Sequence, residues 1–283
     1  MTILQQLLHS SGHFYRGIRA RRDLSGLADA NPQISAAVVD AVSSRTSEAE
    51  EAWVERIEEL RCRMNDSSEE LEIPDYGAGS GDSKLTEEEM YQGRVIRRTI
   101  GQICTGTSRT DRTALLLLRL VRELKPHTCI ELGTSVGISA CYQAAALKLN
   151  GAGKLITLEG AGSVASVAAR NFADLGLDNI SVVRGRFQET LSEVLSANPA
   201  VDYAFVDGHH DEAATVKYFN AFLPKLSDTA VVVFDDIQWS EGMHRAWDVI
   251  RGHGCVRVSV DLGSMGLIST AGPDSPQHFS TTF

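Results

Sequence analysis

Apolar positions divide the chain into two textures. Up to about residue 70 they recur at helical steps, as in Ile34–Val42 and in the acidic run Glu48–Met64. There Trp53, Ile57, Leu60 and Met64 share one stripe, so this helix needs a surface to pack on, either its own domain or another subunit. The segment Ile73–Ser83, rich in Gly, Ser and Asp, reads as a loop. A polar helix is expected over Thr86–Ile103, opened by Thr86 and Glu89 at capping-box spacing.

From Asp111 to Ser269 short apolar runs alternate with helical patterns. Asp111–Leu124 reads as a helix ending before Pro126. Strands are expected at Thr128–Leu132, Lys154–Glu159, Ile180–Arg184, Val201–Asp207 and Thr229–Asp235, each followed by a helix. Cys255–Val260 and Met265–Ser269 then read as a closing hairpin that adds an antiparallel edge strand. Repeated βα units with short connections predict an α/β fold: a doubly wound, mostly parallel, seven-stranded sheet covered on both faces. The expected division is a helical N-terminal extension over 1–84, serving as a lid or for dimerisation, an α/β domain over 85–270, and a flexible tail over 271–283.

Composition narrows the classes. At 283 residues and 43% hydrophobic, the chain can bury one full α/β domain. The most apolar run, Ala114–Val121, is too short to span a membrane and contains Arg119. No secretory leader pattern is present at the start. The five cysteines are scattered, with no CxxC pair, which suits a reducing cytoplasm. A net charge of −10 argues against nucleic acid as a partner. The one basic cluster, Arg16–Arg22, reads as a solvated helix face or a contact with an acidic partner.

In open α/β sheets, ligands bind at the carboxyl ends of the strands. The first strand runs into Glu131-Leu-Gly-Thr-Ser-Val-Gly137, in which Gly133 permits a tight turn and Gly137 a close helix start. The second strand ends in Glu159, placed to accept the two hydroxyls of a ribose. No G-x-G-x-x-G occurs, which disfavours a nicotinamide cofactor.

These residues resemble those of class I S-adenosylmethionine-dependent methyltransferases. The resemblance implies a Rossmann-like methyltransferase fold and S-adenosylmethionine as cofactor. It implies cofactor contacts from Glu131, Gly133, Thr134, Ser135, Gly137, Glu159 and Asp207, with Gly185, Arg186 and Phe187 along the adenine. Arg186 replaces the usual acid of that segment, and Ser135 the usual middle glycine.

Strands four and five end in Asp207-Gly-His209-His210 and Asp235-Asp236. Adjacent parallel strand ends lie about 5 Å apart, so Asp207, Asp235 and Asp236 are expected to converge. Crowded carboxylates are relieved by a hard cation such as Mg²⁺. The interval from Asp207 to Asp235 is similar to that between the metal-binding acids of catechol-type O-methyltransferases, with Asp236 in the place of their Asn. His210 stands where that branch has a lysine and is the expected base, with His209 its competitor. Gln238 occupies the position of a base in a related sugar-modifying branch and cannot serve as one. Trp239 and Met243 are candidates for the acceptor wall, Tyr76–Ser80 for a lid, and His244 and His253 for structural roles. The expected reaction is methyl transfer to a hydroxyl of a small-molecule acceptor. The alternatives are a metal-independent N- or C-methyltransferase and a non-catalytic cofactor-binding protein.

Overall fold

A computed structural model describes residues 22, 24–75, 94–108 and 111–281. The Tyr76–Ser80 segment, the start of the helix expected at Thr86, and the basic cluster apart from residue 22 lie outside the described residues.

Three helices open the described chain: α1 (Leu27–Ala30), α2 (Pro32–Val42) and α3 (Glu48–Asn65). Ser47 and Glu50 close a capping box on α3, satisfying amides that the first turn leaves orphaned. Ile57 and Leu60 are fully buried. The apolar stripe of α3 thus faces this chain's own domain, in one core with Leu116, Leu120 and Ala145. Arg119 reaches back from the domain to Glu50 at 2.9 Å, and Arg122 to the same carboxylate at 3.2 Å.

Strands β1 (Glu70–Asp75) and β2 (Arg94–Thr99) follow as an antiparallel pair. The sequence led us to expect a helix across Thr86–Ile103; the structure instead makes residues 94–99 a strand. The reason is cross-strand pairing: Glu72 stands opposite Arg97 with a 2.6 Å ion pair, and Ile73 opposite Ile96. The helix α4 begins only at Ile100 and runs to Thr107, under a capping box made by Thr99 and Gln102.

Helix α5 (Asp111–Leu124), on which α2 packs, leads into the sheet. Its elements are β3 (Thr128–Leu132), α6 (Ile138–Asn150), β4 (Lys154–Glu159), α7 (Gly162–Leu175), β5 (Ile180–Arg184), α8 (Phe187–Ala197) and β6 (Val201–Val206). They continue with α9 (Glu212–Phe222), β7 (Leu226–Phe234), α10 (Glu241–Arg251), β8 (Val258–Asp261), β9 (Gly266–Ser269) and β10 (Gln277–Ser280).

The sheet is ordered β10-β8-β9-β7-β6-β3-β4-β5, and β9 alone runs against the rest. Two expectations are corrected. The antiparallel strand is internal, between β7 and β8, and the sheet has eight strands because the tail expected to be flexible contributes β10. That strand covers the edge β8 would otherwise expose, and His278 meets Ser259 at 2.7 Å. The chain winds from β3 outward through β4 and β5, then returns to β6 and β7. The switch point between β3 and β6 opens the crevice in which the site lies. Among the described residues no helix is long and apolar enough to cross a membrane.

Candidate functional site

A cavity of about 690 Å³ opens over the carboxyl ends of β3, β4, β6 and β7, within the range of small-molecule sites. Its floor is the turn after β3. Gly133 holds φ +102°, and a β-carbon there would stand 1.9 Å from the Asp207 carbonyl oxygen, so only glycine fits. The amides of Gly133 and Thr134 both donate to the Leu158 carbonyl, at 3.1 and 3.2 Å. Ser135 adopts φ +48°, uncommon for a residue with a side chain. Its amide donates to Glu159 Oε2 at 2.9 Å, while Glu159 Oε1 accepts from the Ala161 amide at 2.9 Å. Burial raises the Glu159 carboxyl above its ordinary range.

Of the residues expected to contact the cofactor, Gly133, Thr134, Ser135, Glu159, Arg186, Phe187 and Asp207 line the cavity. Glu131, Gly137 and Gly185 do not. Glu131 is fully buried and accepts hydrogen bonds from Ser139, Gln143 and Thr157 at 2.7–2.8 Å. It therefore ties α6 and β4 beneath the turn rather than presenting a carboxylate to a ligand, and burial pushes its pKa up to about 7. Gly137 caps α6, where a β-carbon would strike the Phe172 ring at 2.6 Å.

The two histidines separate. His209 Nδ1 lies 2.7 Å from the Tyr218 hydroxyl, and its ring meets the edge of Phe187 at 5.5 Å. Burial lowers its pKa to about 4, which makes it a weak base. His210 turns the other way: its Nε2 stands 3.6 Å from Asp207 Oδ1 and 3.7 Å from Asp236 Oδ2. Its ring lies beside that of Trp239, 6.3 Å between centroids, and Trp239 lines the cavity while remaining 54% exposed. Met243 is buried away from the cavity against Thr215, His244 is exposed on α10, and His253 packs on Phe219.

The three aspartates expected to hold a cation do not meet. Asp235 is 1% exposed and absent from the cavity wall; its Oδ1 accepts the Asp236 amide at 2.8 Å. Asp236, beyond the end of β7 and at φ +53°, lines the cavity with Asp207. The His210 imidazole sits between those two carboxylates, where a metal would have to lie. Among the described residues no group of three or more His, Cys, Asp or Glu is arranged to hold a metal ion, and these residues do not fit the Mg²⁺ expected from sequence.

Sequence reasoning missed a whole wall. Ile73, Pro74, Ile96 and Arg98 from the β1–β2 pair, with Ile103 and Thr107 of α4, close the cavity opposite the strand ends. The Thr107 hydroxyl lies 2.6 Å from that of Ser135, fastening α4 to the glycine turn. The only hint in the sequence was the match between the acidic run Glu70–Asp75 and the basic run Arg94–Thr99.

Residues 130–237 match the family model described as a methyltransferase domain. Among curated proteins none matches this sequence. Of solved structures, the O-methyltransferase from Bacillus cereus in complex with SAH (S-adenosylhomocysteine) is 17% identical. That alignment covers 77% of this chain and 89% of that one, with a TM-score of 0.52. The O-methyltransferase TomG from Streptomyces achromogenes, involved in tomaymycin synthesis and solved with SAM, is 18% identical over 81% and 92% of the two chains, with a TM-score of 0.51. SAH-bound PaMTH1 from Podospora anserina is 16% identical over 58% and 80%, with a TM-score of 0.51. At these identities the likeness is one of fold. The matched stretch, residues 130–237, contains the glycine turn and Glu159, and the sheet around it shares the fold of these methyltransferase structures.

Proposed function

We propose that the protein transfers the methyl group of S-adenosylmethionine to a hydroxyl oxygen of a small-molecule acceptor, with His210 as the base. The observation that carries this reading is the position of His210, between Asp207 and Asp236 on the cavity wall. The fit of the donor is supported by Glu159, a half-buried carboxylate oriented by two backbone amides, where it can accept ribose hydroxyls. Arg186 and Phe187 flank the position of the adenine.

When bound, the cofactor supplies an electrophilic methyl group on a sulfonium. The chain's part is to align the acceptor oxygen with that methyl and to remove its proton. The His210 imidazole takes the hydroxyl proton as the oxygen–carbon bond forms and the methyl–sulfur bond breaks, leaving S-adenosylhomocysteine as a neutral thioether. The resulting imidazolium is stabilised by the carboxylates of Asp207 and Asp236. Trp239 offers a flat apolar wall beside this base. Metal assistance forms no part of the proposal, because Asp235 is turned into the protein. The choice of oxygen accords with the O-methyltransferases of the same fold, and the net charge of −10 disfavours a nucleic acid as acceptor.

The test is calorimetric titration of S-adenosylhomocysteine into the protein, followed by transfer of a labelled methyl group to a panel of catechols and sugars. Micromolar binding and labelled ether products are expected. Absence of binding would overturn the reading, and labelled amine or carbon products would move it to N- or C-methylation.

A further inference from the structure

The pairing of β1 with β2 puts Leu71 opposite Arg98 and Ile73 opposite Ile96, and residues opposite one another lie on the same side of a strand pair. Ile73, Ile96 and Arg98 all line the cavity. The inward side therefore carries three aliphatic residues and one arginine. Its neighbour Arg97 points outward and is held by Glu72; Arg186, the other arginine of the cavity wall, lies 3.4 Å from Glu189. Arg98 has no ion pair or hydrogen bond among the described residues. An exposed guanidinium that lines the cavity beside Ile73 and Ile96 and is held by no acid among the described residues is suited to a planar oxyanion, which it can engage through two parallel N–H donors.

We propose that Arg98 is a carboxylate anchor for a ligand in this cavity, an inference that rests on the methyltransferase reading of the site. Two carboxylates are available to it: that of the amino-acid end of the methyl donor, and one borne by the acceptor. The donor is favoured by position. Arg98 lines the same cavity as the glycine turn, and the helix α4 that follows its strand is bonded to that turn through Thr107 and Ser135.

The experiment compares S-adenosylhomocysteine with 5′-methylthioadenosine, which keeps the nucleoside and sulfur and lacks the amino acid. Binding of each is measured to the wild type, R98K and R98Q, with thermal midpoints confirming that the variants fold. We expect R98Q to weaken S-adenosylhomocysteine about 10- to 100-fold, R98K to weaken it less, and 5′-methylthioadenosine to be unaffected. A second arm titrates 3,4-dihydroxybenzoate and catechol into the S-adenosylhomocysteine complex. If R98Q spares the donor and abolishes a preference for the carboxylated ring, the anchor serves the acceptor. If R98Q alters neither comparison, the anchor is overturned. Failure of the wild type to bind S-adenosylhomocysteine at all would instead overturn the reading of the site, and the anchor with it.

Discussion

A β-carbon on Gly133 would stand 1.9 Å from the carbonyl oxygen of Asp207, joining the turn after β3 to the end of β6. The Asp207 amide in turn donates to the Leu132 carbonyl at 2.9 Å, so the two strand ends interlock. G133A must displace Asp207 as well as strain its own backbone at φ +102°. We expect a lower thermal midpoint and at least tenfold weaker S-adenosylhomocysteine binding, read by calorimetry on the folded fraction; unaltered affinity would show that the turn does not form the donor site.

His210 is the group assigned to the acceptor proton. H210A should lower kcat by about 10²–10⁴-fold with the affinity for S-adenosylhomocysteine retained, since the ring lies beside Trp239 and pairs with Asp207 and Asp236 rather than with Glu159 or the glycine turn. Single-turnover methyl transfer checks this, and a loss smaller than tenfold would pass the role to another group.

Because Asp235 is buried and His210 stands between the other two acids, exhaustive chelation should leave methyl transfer undiminished. Comparing rates with EDTA and with added Mg²⁺ measures it. Loss on chelation with recovery on Mg²⁺ would require Asp235 or another ligand to turn into the cavity.

Two buried groups bend the stability curve in opposite directions. Burial raises Glu131 from 4.5 to about 7, so the folded chain holds that proton more tightly than the unfolded one. Its stabilisation is whole below pH 4.5 and is lost as pH rises through about 7, a change on the order of 3 kcal/mol. His209 is lowered from 6.5 to about 4; its stabilisation is whole above pH 6.5 and is lost as pH falls through about 4. Urea midpoints measured from pH 4 to 8 should decline less toward high pH in E131Q than in the wild type, and less toward low pH in H209N. Parallel curves for all three proteins would remove both assignments.

The contact between the N-terminal helices and the sheet domain includes an ion pair of Glu50, 1% exposed, with Arg119, 8% exposed. Because Arg122 also pairs with Glu50, at 3.2 Å, both arginines must go to leave the buried carboxylate without a cation, and R119A/R122A should cost about 3–5 kcal/mol in urea unfolding. A cost under 1 kcal/mol would show that this contact is not integral to the fold.

Much of the architecture was already legible in the sequence. Strands β3 and β4 begin and end where the apolar runs do, because a strand buried in a parallel sheet is mostly apolar along its length. The glycine turn and Glu159 were legible for the same local reason, since a tight turn and a strand-end acid are read from neighbouring residues. What the sequence could not supply is direction and distant partnership. Asp235 and Asp236 are consecutive, as are His209 and His210, and consecutive side chains diverge. Which member of each pair faces the cavity depended on the backbone at the strand end and on Tyr218, Phe187 and Trp239 around it. Strand β2, strand β10 and the cavity wall bearing Arg98 exist only through pairing with residues far along the chain. A four- or six-residue polar segment carries too little pattern of its own to announce such a partner, so tertiary structure alone decided them.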